Sequence, residues 1–559
     1  MVYTTKIDRK HMEAFLRKFQ KLNRLTGNND SEKAVDYIIN ELENEGLQYK
    51  QFVFDSYFSN PIQASLDVFC EDVYSIKAKP RSFGGDFPEG IVGEIIYDYE
   101  FDKRRTKEEL SKLFKNKIVL SYNYYEDYVN DLNKCGAIGL IHICKSDHNV
   151  IFEETVGSVW GTPTTKNIDT LFQIPVLGIG REDGEKLLEK LKIKEFEVRI
   201  CTKIENIVKK CSLPICEIKG KCDDFILISG HYDSWHEGIS DNAVGNSICL
   251  EIARILGKRA NLEKSIKIAW WPGHSNGRYS GSTWYCDNNF ELLSEKCIGH
   301  INIDSMGTKL SSRYMVRSAY TEGKKFIEEI ITEVTGKPPI SYKDLPRGAD
   351  MSFWGAEIPF HLSLKSINPE LTDYIAPGSG GNWWWHTEYD TYDKADYNLM
   401  IESVKIILAI TDRLSENKVF PFDYEFFMED TKKILLQIED SSNLEFDFTE
   451  IYESLDKLKS NLFNIDKSKI SDESKNLIFK KIAGKLSRLK YSTCDRYDFD
   501  NTFSLGTYPG LRVVNNINKE YISAEEALFI KTYLQRQKNR MIGEIKDLEK
   551  LIKTNSQYL

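Results

Sequence analysis

Three apolar runs between Phe225 and Asp304 each end on a polar side chain able to bind metal. Phe225-Ile-Leu-Ile228 passes through Ser229-Gly230 into His231-Tyr-Asp233. Ile266 to Trp271 breaks at Pro272-Gly273-His274, and Ile301-Asn-Ile303 ends on Asp304. After the first run, Gly238-Ile-Ser-Asp241-Asn242-Ala-Val-Gly245 leads into Ser247 to Leu256. That stretch is apolar at Ile248, Leu250, Ile252, Ala253 and Leu256, which predicts a helix. Short apolar runs alternating with helical patterns describe buried strands of an open α/β sheet. In such sheets ligands sit at the carboxyl ends of the strands, where His231, His274 and Asp304 would fall. A late stretch, Trp383-Trp-Trp-His386-Thr387, adds a further histidine.

These stretches resemble the zinc peptidase family M28, which includes bacterial aminopeptidases, the glutamate carboxypeptidases, glutaminyl cyclase and the transferrin receptor. The matching elements are His231-x-Asp233, Asp241-Asn242, Gly281-Ser282, Asn302-Ile-Asp304, Trp385-His386-Thr387 and Asp390-Thr391. The resemblance implies an α/β/α sandwich with a mixed sheet. It also implies zinc, as one or two ions, with another divalent metal an alternative. One metal would take His231, Asp241 and Asp304, and a second would share Asp241 and add a Glu and His386. Asp233 would orient His231 from behind.

The family's Glu-Glu pair, in which one Glu is the base and the other a ligand, is missing. Aligned on Gly277, its place holds His274-Ser275; aligned on Gly281-Ser282, it holds Ser275-Asn276. No carboxylate occurs between Glu263 and Asp287. His274 therefore stands as the candidate base, or as a metal ligand in place of the Glu. His236, Arg278, Tyr279 and Trp385 are candidates for the substrate wall. His236 could instead face solvent, and Arg278 and Tyr279 could simply pack their loop. Arg347 has the same two readings.

A chain of 559 residues is too long for one core, so two or three domains are expected. Residues 1–54 and 206–419 read as the M28-like catalytic domain. Within it, His11 to Leu22 and a stretch from Ser31 to Glu45 have helical patterns, with Ser31 a candidate cap. Gln51 to Phe54 reads as an edge strand, and Tyr320 to Thr335 as a helix. Residues 55–205 carry short strands near 90–97, 117–121, 137–142 and 174–179 with helices between, and resemble an inserted protease-associated (PA) domain. Tyr124-Tyr-Glu-Asp-Tyr128 reads there as a solvated helix start. The Gly- and Pro-rich loop from Asn368 to Trp385 is expected to join the substrate wall. Residues 420–559 are helical and charged, with runs at Tyr424–Asp440, Asn443–Leu462, Glu473–Leu489 and Ala524–Ile552. They resemble the dimerisation domain of the carboxypeptidase and transferrin-receptor branch, which implies a homodimer.

Lys and Arg total 75 against 85 Asp and Glu, a net charge of −10, which argues against nucleic acid and anionic membrane surfaces as partners. No signal peptide or 18-residue apolar run is read, and eleven scattered cysteines suit reduced thiols, so a cytoplasmic location is expected.

Three functions remain open on the sequence. The leading one is a metal-dependent hydrolase of an amide or peptide bond, acting on a small molecule or peptide. A water activated by the metal would attack the carbonyl, with His274 as base. The second is a metal enzyme of another reaction class on the same fold, a cyclase, lyase or isomerase. The third is a non-catalytic binding dimer like the transferrin receptor.

Overall fold

The computed structural model describes residues 7–103, 105–171, 174–318, 323–371, 378–421, 424–440, 446–466, 470–516 and 522–556. The chain opens with α1 (Arg9–Phe19) and α2 (Asn29–Asn44). Met12, Phe15, Leu16 and Phe19 of α1 fall on one helical face, and all four are buried. The cap of α2 is Asn28 rather than Ser31: its side chain accepts from the Ser31 amide, because the helix starts earlier than the apolar pattern does.

Two long strands follow the same path in opposite directions. β1 (Gln48–Phe69) pairs antiparallel along its length with β7 (Glu197–Ile218). Between them in sequence lie β2 (Val73–Pro80), β3 (Phe87–Tyr97), α3 (Lys107–Phe114), β4 (Ile118–Ser121), α4 (Glu126–Cys135), β5 (Gly139–Ile143), β6 (Val176–Ile179) and α5 (Arg181–Leu191). The strand order β1-β2-β6-β5-β4-β3-β7, with β1 also paired to β7, closes this part of the sheet on itself. Its interior is filled by Leu66, Ile95, Ile118, Leu120, Ile141, Leu177, Val198 and Ile200. Gln51 to Phe54 is thus no edge strand; it begins a ladder shared by both halves of the sheet.

Beyond β7 come β8 (Cys222–His231), α6 (Val244–Gly257), β9 (Lys264–Trp271), α7 (Ser280–Asn288), α8 (Phe290–Lys296), β10 (Cys297–Ile303), β11 (Arg313–Ser318), α9 (Lys324–Thr335), β12 (Ser341–Asp344), β13 (His361–Ile367) and α10 (Tyr397–Glu416). The order continues β7-β9-β8-β10-β13-β11-β12, with β9, β8, β10 and β13 mutually parallel and β11 reversed against β13. The apolar run of β8 serves two cores by its period of two. Ile226 and Ile228 pack on one face with α6 and the N-terminal helices, and Phe225 and Leu227 on the other with α7 and α8. The fold is an α/β sandwich around a mixed sheet.

The remaining residues form α11 (Tyr424–Asp440), α12 (Thr449–Asp466), α13 (Asp472–Tyr491), the short α14 (Pro509–Arg512) and α15 (Ala524–Ser556). The expected start of one helix at Tyr320 lies outside the described residues, as does the start of another at Asn443. No described helix is long and apolar enough to cross a membrane.

His11 ties α1 to its neighbours. Its Nε2 lies 2.9 Å from Glu41 and its Nδ1 3.4 Å from Glu251, which also binds Arg254 and the Asp8 amide. Glu251 raises the His11 pKa above 6.5 and burial opposes this, with Glu41 adding to the rise. The protonated ring is therefore favoured by folding. Its stabilisation is complete below the unfolded value and lost as pH rises through the folded one. His11→Ala should lower the melting temperature more at about pH 6 than at about pH 9. Equal losses in thermal melts at the two pH values would show that the ring acts by packing alone.

Candidate metal centre

His231 closes β8, Asp304 follows β10, and Asp241 stands in the turn before α6, so neighbouring parallel strands deliver three ligands to one edge of the sheet. One ligand atom from each of the three lies within 4.8 Å of the others. His231 Nδ1 lies 2.9 Å from the Asp233 carbonyl oxygen, which can only accept. The lone pair of Nε2 is then turned to Asp241 Oδ1, 3.1 Å away. Three acceptors facing one another across a buried space need a proton or a cation between them. Nitrogen and carboxylate donors in this number suit zinc.

The surroundings reflect that need. Burial opposes charge on His231, yet hydrogen bonds to Asp233 and Asp241 hold its pKa well above the usual value. Burial likewise works against ionised Asp241, but His231 and His386 outweigh it and keep the carboxylate charged. The backbone N–H groups of Ser240 and Asp241 donate to Asp390, at 2.9 and 3.1 Å. Burial pushes Asp390 up to about 7 even so. Arg24, fully buried, donates to the carbonyls of Tyr232, Glu237 and Gly238 and so pins the loop between His231 and Asp241.

His386 approaches the cluster from the other side of Asp241. His386 Nδ1 lies 3.0 Å from the Glu153 carbonyl oxygen, and its Nε2 lies 3.2 Å from Asp241 Oδ2. The indole N–H of Trp385 donates to that same Oδ2 at 2.7 Å. The His274 ring lies parallel to His231, with centroids 3.8 Å apart and planes at 9°. His274 Nδ1 is 2.9 Å from Asp350 Oδ2, and the other Asp350 oxygen accepts from Ser282. Asp350 is completely buried and comes from a segment distant in sequence. No local spacing in the sequence links it to His274. Lys365 on β13 is a further unforeseen member, with Nζ 3.5 Å from Asp304 Oδ2. Against the burial that raises it, Lys365 and His231 lower the Asp304 pKa.

Asp233 supports the centre from behind rather than facing substrate. Its carboxylate accepts from the backbone N–H of His274 at 3.1 Å and of Ser275 at 3.0 Å. Trp385, Arg278 and Tyr279 line the pocket above the ligands with Trp235 and His386. His236 is absent from the described lining: its ring turns to Glu153, 3.2 Å away, and ties the loop to the inserted segment. Arg278 is engaged by Glu126 rather than open to a substrate carboxylate. Arg347 binds Asp500 and the carbonyls of Tyr491 and Phe503. The Tyr124 to Tyr128 segment is not a solvated helix start either. Tyr124, Tyr125 and buried Glu126 form part of the pocket wall, because α4 begins over the metal centre. Thr502 and Ser504 from the C-terminal part add another side. Of the loop from Asn368 to Trp385, residues 372–377 lie outside the described residues, while Gly378 and Trp385 reach the pocket.

His231, Asp241 and Asp304 thus cluster at the carboxyl edge of an α/β sandwich, with His386 beside Asp241. Residues 215–411 match the sequence model of peptidase family M28. Aminopeptidase YwaD of Bacillus subtilis is 27% identical over 261 residues, covering 44% of this chain and 53% of that protein. A probable glutamate carboxypeptidase of Zea mays, VP8, is 26% identical over 232 residues, covering 37% of this chain and 30% of that one. The match thus spans about half the length of the first relative and less of the second. Among solved structures, an aminopeptidase from Aneurinibacillus sp. strain AM-1 superimposes with a TM-score of 0.57 at 19% identity, over 74% of this chain and 95% of that one. A zinc aminopeptidase from Bacillus subtilis gives 0.56 at 19%, over 75% and 98%. These likenesses establish the α/β sandwich.

Burial pushes the Glu126 carboxyl up to about 7 despite the pull of Arg278. Removing it leaves a buried guanidinium without its counter-charge. Glu126→Ala should cost about 3 kcal/mol. Glu126→Gln, which keeps an acceptor in place, should cost less. Chemical denaturation of the two variants checks this, and equal stability of Glu126→Ala and the parent would refute it.

Proposed function

We propose that the protein is a metal-dependent hydrolase of an amide or peptide bond. The observation that carries the proposal is the convergence of His231, Asp241 and Asp304 as acceptors, with Asp241 and Asp304 lining a pocket. The names of its relatives, aminopeptidase and probable glutamate carboxypeptidase, support the same class. Bound zinc would supply Lewis acidity toward a carbonyl oxygen and an attacking water. His231, Asp241 and Asp304 would hold the ion. Asp350 fixes the His274 ring by the bond at Nδ1, leaving Nε2 to take a proton from the nucleophile and return it to the leaving amine. Trp385 and Tyr279 exclude water from one side.

We further propose one tightly held ion. Among the described residues, Asp241 Oδ2 and His386 Nε2 would serve the second position, and Trp385 already donates a hydrogen bond to Oδ2. The imidazole–carboxylate pair of His274 and Asp350, standing where the family has two carboxylates, also favours a second reading: proton transfer without hydrolysis, as in a cyclase, lyase or isomerase. The inserted segment serves as a PA-like wall. A cytoplasmic homodimer joined through the C-terminal helices completes the proposal; the eleven free cysteines and the exposed Leu528 and Phe529 of α15 support it.

Elemental analysis of the metal-replete protein should give about one ion per chain, retained in His386→Ala and lost in Asp304→Asn. A library of peptides and N-acyl amino acids should then show turnover that falls about a hundredfold or more in His274→Ala. Two ions per chain, one lost in His386→Ala, would overturn the single-ion reading. Full occupancy with no turnover would overturn hydrolysis and leave the proton-transfer enzyme.

A further inference from the structure

Behind the His274–Asp350 pair a file of hydroxyls leads away from the pocket and ends in the inserted segment. Asp350, Ser282 and Ser352 are fully buried, so each polar atom there needs a partner within the protein. Ser282 and Thr283 stand in the first turn of α7, and Ser352 lies two residues after Asp350. Ser282 Oγ is 2.9 Å from Asp350 Oδ1 and 2.9 Å from Ser352 Oγ. Ser352 Oγ is in turn 2.9 Å from the indole Nε1 of Trp160. Trp160 belongs to the chain between β5 and β6, and its ring lies against Tyr279 and Phe499, with centroids 5.7 and 6.1 Å apart. Gly161 permits this close approach to α7. Its φ is 71°, and a Cβ there would come within 2.8 Å of Thr283.

The direction of the chain is set at its far end. An indole N–H can only donate, so it takes a lone pair of the Ser352 oxygen and leaves that hydroxyl to donate onward. Two oxygens are in reach, Ser282 Oγ at 2.9 Å and Thr283 Oγ1 at 3.3 Å, and Ser282 is the nearer. Thr283 spends its own hydrogen on the Tyr279 carbonyl at 2.8 Å. Ser282 then has one hydrogen and two acceptors, the Tyr279 carbonyl at 3.1 Å and Asp350 Oδ1 at 2.9 Å. The carboxylate is the nearer acceptor and the stronger one, because hydrogen bonds to a charged oxygen exceed neutral ones. Among the described residues Asp350 meets two donors, Ser282 at Oδ1 and His274 at Oδ2. With Oδ1 filled from behind, the carboxylate is fixed in rotation, and Oδ2 calls for a proton on His274 Nδ1. Nε2 is then the unprotonated nitrogen of a ring that lines the metal pocket.

We propose that Trp160 is a positioning residue for the base: its N–H starts a one-way chain through Ser352 and Ser282 to Asp350 that holds His274 in the tautomer with Nδ1 protonated and Nε2 free. The seating of the inserted segment against α7 is thereby felt at the proton-accepting atom. Asp233, which binds the backbone amides of His274 and Ser275, fixes where the loop lies but not which ring nitrogen carries the proton. A chain that merely satisfied buried groups would act on stability and leave the tautomer alone. The role of His274 as base rests on the hydrolase reading, while the tautomer does not.

The test joins imidazole nitrogen NMR spectra of the histidine-labelled, zinc-loaded full chain to a double-mutant cycle. Spectra are recorded at about pH 8, where an ordinary imidazole is neutral. The His274 signals are assigned by their loss in His274→Ala. In the parent they should show a protonated Nδ1 and an unprotonated Nε2. Trp160→Phe keeps a ring between Tyr279 and Phe499 and removes the N–H, and Ser282→Ala removes the donor to Asp350. Each should mix the two tautomers while zinc content stays that of the parent. On an amide that the parent turns over, kcat should fall about threefold in Trp160→Phe and about tenfold in Ser282→Ala, with KM unchanged. In the His274→Ala background the same two changes should alter kcat less than about twofold, because the residue they act through is gone. A parent ring in any other protonation state, an unchanged His274 spectrum in both variants, or equal falls of kcat with and without His274 would overturn the proposal. Tautomer mixing in both variants with no amide turned over would sink the hydrolase reading and leave the positioning chain standing.

Discussion

The ladder between β1 and β7 is the constraint on which the rest of the structure depends. It runs from Gln48 opposite Glu217 to Phe69 opposite Glu197, broken only by an irregularity between Pro61 and Gln63. One end lies within the sandwich, where Phe54, Phe58, Leu213 and Ile215 share a core with Trp271. The other end closes the inserted half of the sheet. Because one ladder belongs to both halves, their relative placement is set by backbone hydrogen bonds rather than by a hinge. Ser59, buried midway along β1, shows the result. Its amide donates to the Asn276 carbonyl in the His274 loop, its hydroxyl accepts from the Phe83 amide, and its carbonyl accepts from Ser82. The loop that carries His274 and the wall facing it are thus fastened to the same residue.

Within that frame the metal centre is a balance of buried charge. Asp241, Asp304, Asp233 and Asp390 are all buried, and isolated carboxylates there would cost several kcal/mol each. The fold answers each one locally. Asp390 takes two backbone amides, Asp233 takes two more, Asp304 has Lys365, and Asp241 has His231, His386 and Trp385. Arg24 adds a buried positive charge nearby, spending its donors on carbonyls; burial lowers its pKa to about 10 while Asp390, Asp233 and Asp241 hold it up. The ligands are held in position by partners outside the metal site, so the geometry is prepared before any ion arrives.

The strands, and the clustering of His231 and Asp304 at their ends, were legible because their signals are local. An apolar run that ends in His231 or Asp304 shows in a few residues both the strand and the group at its end. The α4 wall was misread for the opposite reason. Tyr-Tyr-Glu-Asp-Tyr is a polar helix start by composition, and only the closing of the β3–β4–β5 layer over the sheet buries Glu126 against Arg278. Asp350 and Lys365 were invisible to spacing because their partners, His274 and Asp304, arrive through tertiary contact between segments far apart in the chain. His236 illustrates the reverse error. Adjacency to a metal motif suggested the pocket, but a left-handed backbone at His236, with φ at 54°, turns the ring away toward Glu153.

The altered charge of the centre bears directly on its chemistry. A pair of carboxylates at the 274–275 position would place two negative charges between the metal positions. This chain has an imidazole and a hydroxyl at 274 and 275, the Asp350 carboxylate behind the imidazole, and the Lys365 ammonium against Asp304. Each change makes the site less negative where a second divalent ion would sit. The Trp385 N–H bound to Asp241 Oδ2 acts in the same direction, because a hydrogen-bonded lone pair is a weaker ligand. The first position keeps its full set of one imidazole and two carboxylates. A centre built this way gives up charge on the side toward substrate while leaving the His231 side intact. The cation at Lys365 faces both Asp304 and a recess beyond it.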